Sequence, residues 1–138
     1  MTKQSEKLAL VIDSASYERV TFALGLATAA AAIGQDVRVI FGHGGVVRLK
    51  KGLTDGVGEE TDSWVRERVR AAIEKGSISP VSELLSVLKK VGGKVYACPA
   101  AMDLHGITVE ELVAEVDEVR SVVRFVQEDA KDASFVYV

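Results

Sequence analysis

Leu8-Ala9-Leu10-Val11-Ile12 is an unbroken apolar run of strand length, closed by the turn-forming Asp13-Ser14-Ala15-Ser16. A strand with one wet face alternates polar and apolar side chains. A continuous run instead marks a strand covered on both faces, the signature of a parallel sheet lying between helices. The next segments of the chain agree with a sheet of that kind. Tyr17 to Ile33 places Val20, Ala23, Leu24, Ala27, Ala30 and Ala31 at helical spacing, with Ser16 as a starting cap and Gly34 just past the end. Its small residues let the helix lie close to a sheet. Val37-Arg38-Val39-Ile40-Phe41 reads as a second strand, running into the glycine loop Gly42-His43-Gly44-Gly45.

Leu49 to Asp62 is rich in charge and glycine and reads as a mobile surface loop. Ser63 to Lys75 carries Trp64, Val65, Val69, Ala72 and Ile73 at near-helical spacing, with Trp64 expected to anchor the helix. Ser77-Ile78-Ser79-Pro80 supplies a cap serine and a first-turn proline for another helix running to about Val91. Gly92-Gly93 stops it, and Lys94-Val95-Tyr96-Ala97 forms the third strand, with Cys98 at its end. Beyond Gly106, Thr108 to Glu111 fits a capping box for a short helix ending near Ala114. A short fourth strand is expected over 116–119. A helix over 121–130 comes next, with Val122, Val123, Phe125 and Val126 inward, and a last strand at Phe135 to Val138.

Strands and helices that alternate through short connections give right-handed crossovers. The prediction is therefore α/β: a three-layer α/β/α sandwich with a mainly parallel five-stranded sheet, flavodoxin or Rossmann-like. With 138 residues, 48% of them apolar, one domain spanning 1–138 is expected.

Seventeen basic and twenty acidic side chains leave a formal charge of -3, so no basic field argues for nucleic acid. The Ala-rich stretch Val20 to Ile33 is too short to span a bilayer. Met1 to Lys7 leads into a strand with no signal-peptide pattern, and a single cysteine makes no internal disulfide, so a reducing cytoplasm is expected.

The loops exclude several chemistries. Asp13-Ser14-Ala15-Ser16 has no glycine for a dinucleotide turn, and no Gly-Lys-Ser or Gly-Lys-Thr succeeds a strand. The end of the third strand carries Cys98 rather than a phosphoacceptor aspartate. One cysteine and two histidines have no zinc-site spacing, so no metal is expected. Ala97 and Pro99 flank the cysteine where a nucleophile elbow would need glycines.

The chemistry that fits is a thiol that accepts, holds and hands on a group. Cys98 lies at a strand end entering a short helix, where backbone N–H groups favour the thiolate. Pro99 donates no N–H and suits the first helical position, leaving Ala100 and Ala101 as donors to the sulfur. Asp103, about a turn on, opposes thiolate formation by its charge. His43 and His105 are the only imidazoles and the available proton carriers. Ser14 is a further binding candidate on the first loop. The competing reading makes Cys98 a small buried hydrophobe in a non-catalytic binding or adaptor module. A thiol redox sensor is a third possibility.

Lys7 to Val11 with its Ala-rich helix, Val39-Ile40-Phe41 with the glycine loop, Ser79-Pro80-Val81-Ser82-Glu83-Leu84-Leu85, Tyr96-Ala97-Cys98 and Met102-Asp103-Leu104-His105-Gly106-Ile107 resemble the DsrE/DsrF-like family, nearest its peroxiredoxin-like branch. The resemblance covers about residues 7–138. It implies a mainly parallel α/β fold, a homotrimer or homohexamer, and sulfur relay with Cys98 as the persulfide-bearing residue. Donor and acceptor proteins or small thiols would be the partners, and the chemistry needs no cofactor. A peroxidase cycle is not implied, because no second cysteine is present to resolve a sulfenate.

Overall fold

The computed structural model describes residues 6–138. Five strands, β1 (Lys7–Ile12), β2 (Asp36–Phe41), β3 (Lys94–Ala97), β4 (Glu118–Val119) and β5 (Ser134–Tyr137), form one sheet in the order β4-β3-β2-β1-β5. Every neighbouring pair is parallel. β1 is an interior strand as its apolar run requires, while β2 occupies the middle. The reading of Met1 to Lys7 as a lead-in lies, for residues 1–5, outside the described residues.

The register sorts the side chains onto two faces. Leu8, Leu10 and Ile12 align with Val37, Val39 and Phe41, and with Val95 and Ala97. This buried apolar face carries α1 (Tyr17–Ala32), which packs on β1, β2 and α3 (Val81–Lys90). All six apolar residues expected on the inner side of α1 are buried. Burying each Leu, Ile, Val or Phe side chain contributes about 1.5–3 kcal/mol, so this layer drives the fold.

The opposite face presents Ala9, Arg38, Ile40 and Tyr96. Its cover is short: α5 (Val122–Arg124) continues into a π-helical turn over Phe125–Asp129. Phe125 meets Tyr96 edge to face at 6.3 Å. Asp129, with a fully buried side chain, is bonded by Arg38 Nη1 at 2.8 Å and Arg120 Nη1 at 2.7 Å. The guanidinium of Arg120 lies 4.2 Å from the centre of the Tyr96 ring. The expected helix over 121–130 is therefore only partly α, and its supposed inner side points out. Val122, Val123 and Val126 are exposed, and only Phe125 reaches the core, because the Asp129 ion pairs fix the rotation of the segment.

Other expectations change for similar reasons. The 49–62 segment is tied down rather than free. Arg48 is buried and donates to the carbonyls of Ala15 (2.8 Å), Leu53 (3.2 Å) and Gly56 (2.5 Å). Its Nη2 faces Glu60 Oε2 at 3.0 Å, an ion pair without hydrogen-bond alignment. α2 (Ser63–Glu74) forms as read, but Trp64 is 70% exposed rather than buried as a core anchor. α3 starts at Val81, so Pro80 is the cap residue and Ser79 lies before it. The Thr108–Glu111 capping box is present, yet it closes a single 3-10 turn, Val109–Glu111, instead of a helix to Ala114. No helix of the described residues is long and apolar enough to cross a membrane.

Candidate functional site

The C-terminal ends of the strands form one row, and backbone hydrogen bonds extend the sheet ladder through it. Asp13 N–H donates to Val138 O at 3.0 Å, Gly42 N–H to Ile12 O at 2.9 Å, Cys98 N–H to Phe41 O at 3.0 Å, and Arg120 N–H to Ala97 O at 2.9 Å. The loops after β1, β2 and β3 thus leave from one rim, where parallel α/β proteins present their reactive groups. Cys98 is held on that rim by its own backbone.

Beyond it, α4 (Pro99–His105) begins with Pro99 at the first helical position, as its fixed φ favours, and ends at Gly106 in the left-handed conformation. Cys98 is the cap residue, and its thiol makes no capping hydrogen bond. The amides of Ala100 and Ala101 are thus not engaged by the sulfur here. The residue is 6% exposed, with Pro99 and Ala100 exposed beside it and Ala101 and Met102 buried beneath the helix. Leu104 is 65% exposed.

α4 rests on the 3-10 segment His43–Leu49 that comes after β2. That segment lies tight against the first loop. A Cβ on Gly45 would fall 2.3 Å from the Ile12 carbonyl oxygen, so only glycine allows this approach. His43, on the same segment, is exposed and has a positive φ of 38°. His105 is exposed at the far end of α4, about 10 Å along the helix axis from Cys98. The structure therefore puts His105 at the opposite end of α4 from Cys98 and His43 on the segment that supports α4. Ser14 is half-buried, and its Oγ accepts the Ser16 N–H at 3.0 Å, which shapes the first loop. Among the described residues, no cluster of three His, Cys, Asp or Glu side chains is placed to hold a metal.

Sequence patterns did not mark Arg48 or Asp55. Arg48 sits 4.9 Å over the Tyr17 ring and ties the loop after β2 to the loop after β1 through Ala15 O. Asp55 accepts from Ser82 N–H at 2.9 Å and so caps α3. A single arginine or aspartate in a charged loop carries no periodic signal, which is why neither was legible.

An all-parallel five-stranded α/β sheet with its one thiol on the C-terminal rim defines the class of protein. A model of the DsrE/DsrF-like family matches residues 6–131, and the chain belongs to that family. Two solved structures share the fold. The ychN protein from E. coli is 21% identical, covering 96% of this chain and 97% of that one with a TM-score of 0.69. A protein of unknown function, MTH1491 from Methanobacterium thermoautotrophicum, is 17% identical, covering 97% and 100% with a TM-score of 0.68. No curated protein matches the chain.

Proposed function

We propose that the chain is a sulfur-relay protein that carries sulfane sulfur as a persulfide on Cys98. Family membership supports a role of this kind. The observation that carries the assignment to one residue is the position of Cys98, the only cysteine, on the strand rim at the start of α4 with the small, exposed Ala100 beside it. The reaction balances without a cofactor. The Cys98 thiolate attacks the outer sulfur of a donor persulfide, the donor leaves as its thiolate, and Cys98–S–SH results. An acceptor thiolate then attacks the terminal sulfur, forming the acceptor persulfide and returning the Cys98 thiolate. Donor and acceptor are proteins or small thiols, the working form is a homotrimer or homohexamer, and the compartment is the reducing cytoplasm. His43 and His105 are the candidate proton carriers.

A second reading is favoured by one observation, the 6% exposure of Cys98: a binding or adaptor module in which the thiol is packing. Intact-mass analysis of native protein incubated with a sulfane-sulfur donor, beside Cys98→Ser, separates the two. Gain of one sulfur atom, reversed by reductant and absent from the variant, is expected. No adduct with several donors, together with a thiol that alkylates only after unfolding, would sink the carrier and leave the adaptor.

A further inference from the structure

Among the longer helices, α2 is held most weakly by the rest of the chain. Val69 is its one buried residue, with Val65 and Ile73 half-buried beside it. Among the described residues it makes no hydrogen bond or ion pair to another helix or to a strand. Its arginines reach only Thr61 O, Val57 O and Glu67, in the preceding loop and in α2 itself. Gly76, with a φ of 83°, turns the chain just past its end. Between α2 and its neighbours lies a cavity of about 670 Å³, walled by Trp64 of α2, Phe22 of α1, Leu84 of α3 and the half-buried Ile78. Trp64 is 70% exposed and Phe22 78%, so two aromatic rings from two helices stand open to one space. A helix with few buried contacts beside an open cavity has the makings of a lid.

We propose that this cavity binds an uncharged molecule of fused aromatic rings, and that α2 is the lid that closes on it. The volume is that of a small-molecule site. The walls choose the body of the ligand, because Trp64 and Phe22 offer ring faces and edges while Ile78 and Leu84 offer aliphatic surface. The charges choose its neutrality. Glu18 and Arg19 are both exposed, adjacent on α1 and opposite in sign, so they offset each other. Asp62 is the cap residue of α2, where the positive end of the helix dipole offsets its carboxylate. No field of one sign is left to favour an anion or a cation. The hydroxyls of Ser77 and Ser79 line the same space and can pair with one polar group on the ring system. A bound ring fills the gap between α1 and α2, so Trp64 and Phe22 lose water-exposed surface, and α2 has few other contacts to give up as it moves in.

The site takes no residue from β3 or α4, so it stands or falls independently of sulfur chemistry at Cys98. Trp64 is the only tryptophan, and its indole N–H gives a single resonance in a nitrogen–proton correlation spectrum of the full chain. The probe is 2-naphthol, beside 2-naphthoate and 2-naphthylmethylamine as its anionic and cationic relatives at neutral pH. A saturable shift of the Trp64 resonance with 2-naphthol is expected, with each charged relative binding about tenfold more weakly or worse. At saturation, amide exchange should slow in α2 and stay unchanged in α4. Phe22→Ala and Trp64→Ala, followed through the amides of 77–84, should each weaken binding about fivefold or more with an unchanged circular-dichroism spectrum. Cys98→Ser should bind as the wild type does. No saturable shift up to the solubility of the probe, or charged relatives that bind as well, would overturn the ligand class. Phe22→Ala binding at wild-type strength would reduce the effect to adventitious stacking on an exposed indole and remove the site. Unchanged exchange in α2 at saturation would remove the lid.

Discussion

The phenolic oxygen of Tyr17 accepts the backbone N–H of Val81 at 3.0 Å, joining the first residue of α1 to the first residue of α3. Val81 is fully buried, so no water replaces that acceptor. Tyr17→Phe keeps the ring beneath Arg48 and removes only the oxygen. It should cost about 1–3 kcal/mol, the penalty for an orphaned buried donor, and lower Tm by several degrees in a thermal melt. An unchanged melt would mean that Val81 N–H finds another partner.

Tyr96 gives the fold an alkaline limit. Burial first, and then the negative charge of Asp129, push its phenol up to about 12. A raised folded pKa means that the neutral form is favoured in the fold. The contribution is complete below about pH 10, the unfolded value, and is lost as pH rises toward 12. Urea midpoints should fall more steeply between pH 10 and 12 in the wild type than in Tyr96→Phe.

Asp129 sets the acid limit. Burial alone would raise its carboxyl pKa, but hydrogen bonds from Arg38 and Arg120 outweigh burial and hold it below the ordinary range. Its contribution is present above the unfolded value, about pH 4, and disappears as pH falls through the lower folded value. Asp129→Asn removes the charge the two arginines share and leaves Arg38 with Asp36 and Arg120 with Glu118; it should cost about 1.5–3 kcal/mol at neutral pH, the value of hydrogen bonds to a charged group. In acid titration of stability, the difference between variant and wild type should shrink below about pH 4.

Arg48 holds the 50–61 segment by hydrogen bonds to the carbonyls of Leu53 and Gly56 and by the Glu60 ion pair. Arg48→Met fills similar space without donors. The segment should open locally, read as a rise of about tenfold or more in limited proteolysis between residues 50 and 61, a local loss of about 1.4 kcal/mol or more. Equal cleavage rates would show that the loop is held by its own turns.

Gly45→Ala tests the rim itself. The added methyl meets the Ile12 carbonyl oxygen, so the His43–Leu49 segment has to lift away from β1, and α4 rests on that segment. We expect a loss of about 1–3 kcal/mol and faster alkylation of Cys98 in the native state. Alkylation at the wild-type rate despite the lost stability would uncouple the β2 loop from the thiol.

Strand and helix order, the inner face of α1 and the place of Cys98 at the end of β3 were legible in the sequence. Each rests on a short-range pattern: continuous apolar runs, 3.6-residue periodicity, proline and glycine at helix ends. Only the tertiary structure decided what depends on distant partners. The N–H of Tyr17 is satisfied by Thr61 Oγ1 at 3.0 Å rather than by a local serine, and Trp64 turns outward although its spacing suits an anchor. The valines of 122–126 face solvent because Asp129 is captured by Arg38, 91 residues earlier in the chain. Periodicity says that a face is apolar, but the buried charges and hydrogen bonds that fix rotation and loop path join residues whose separation leaves no local trace.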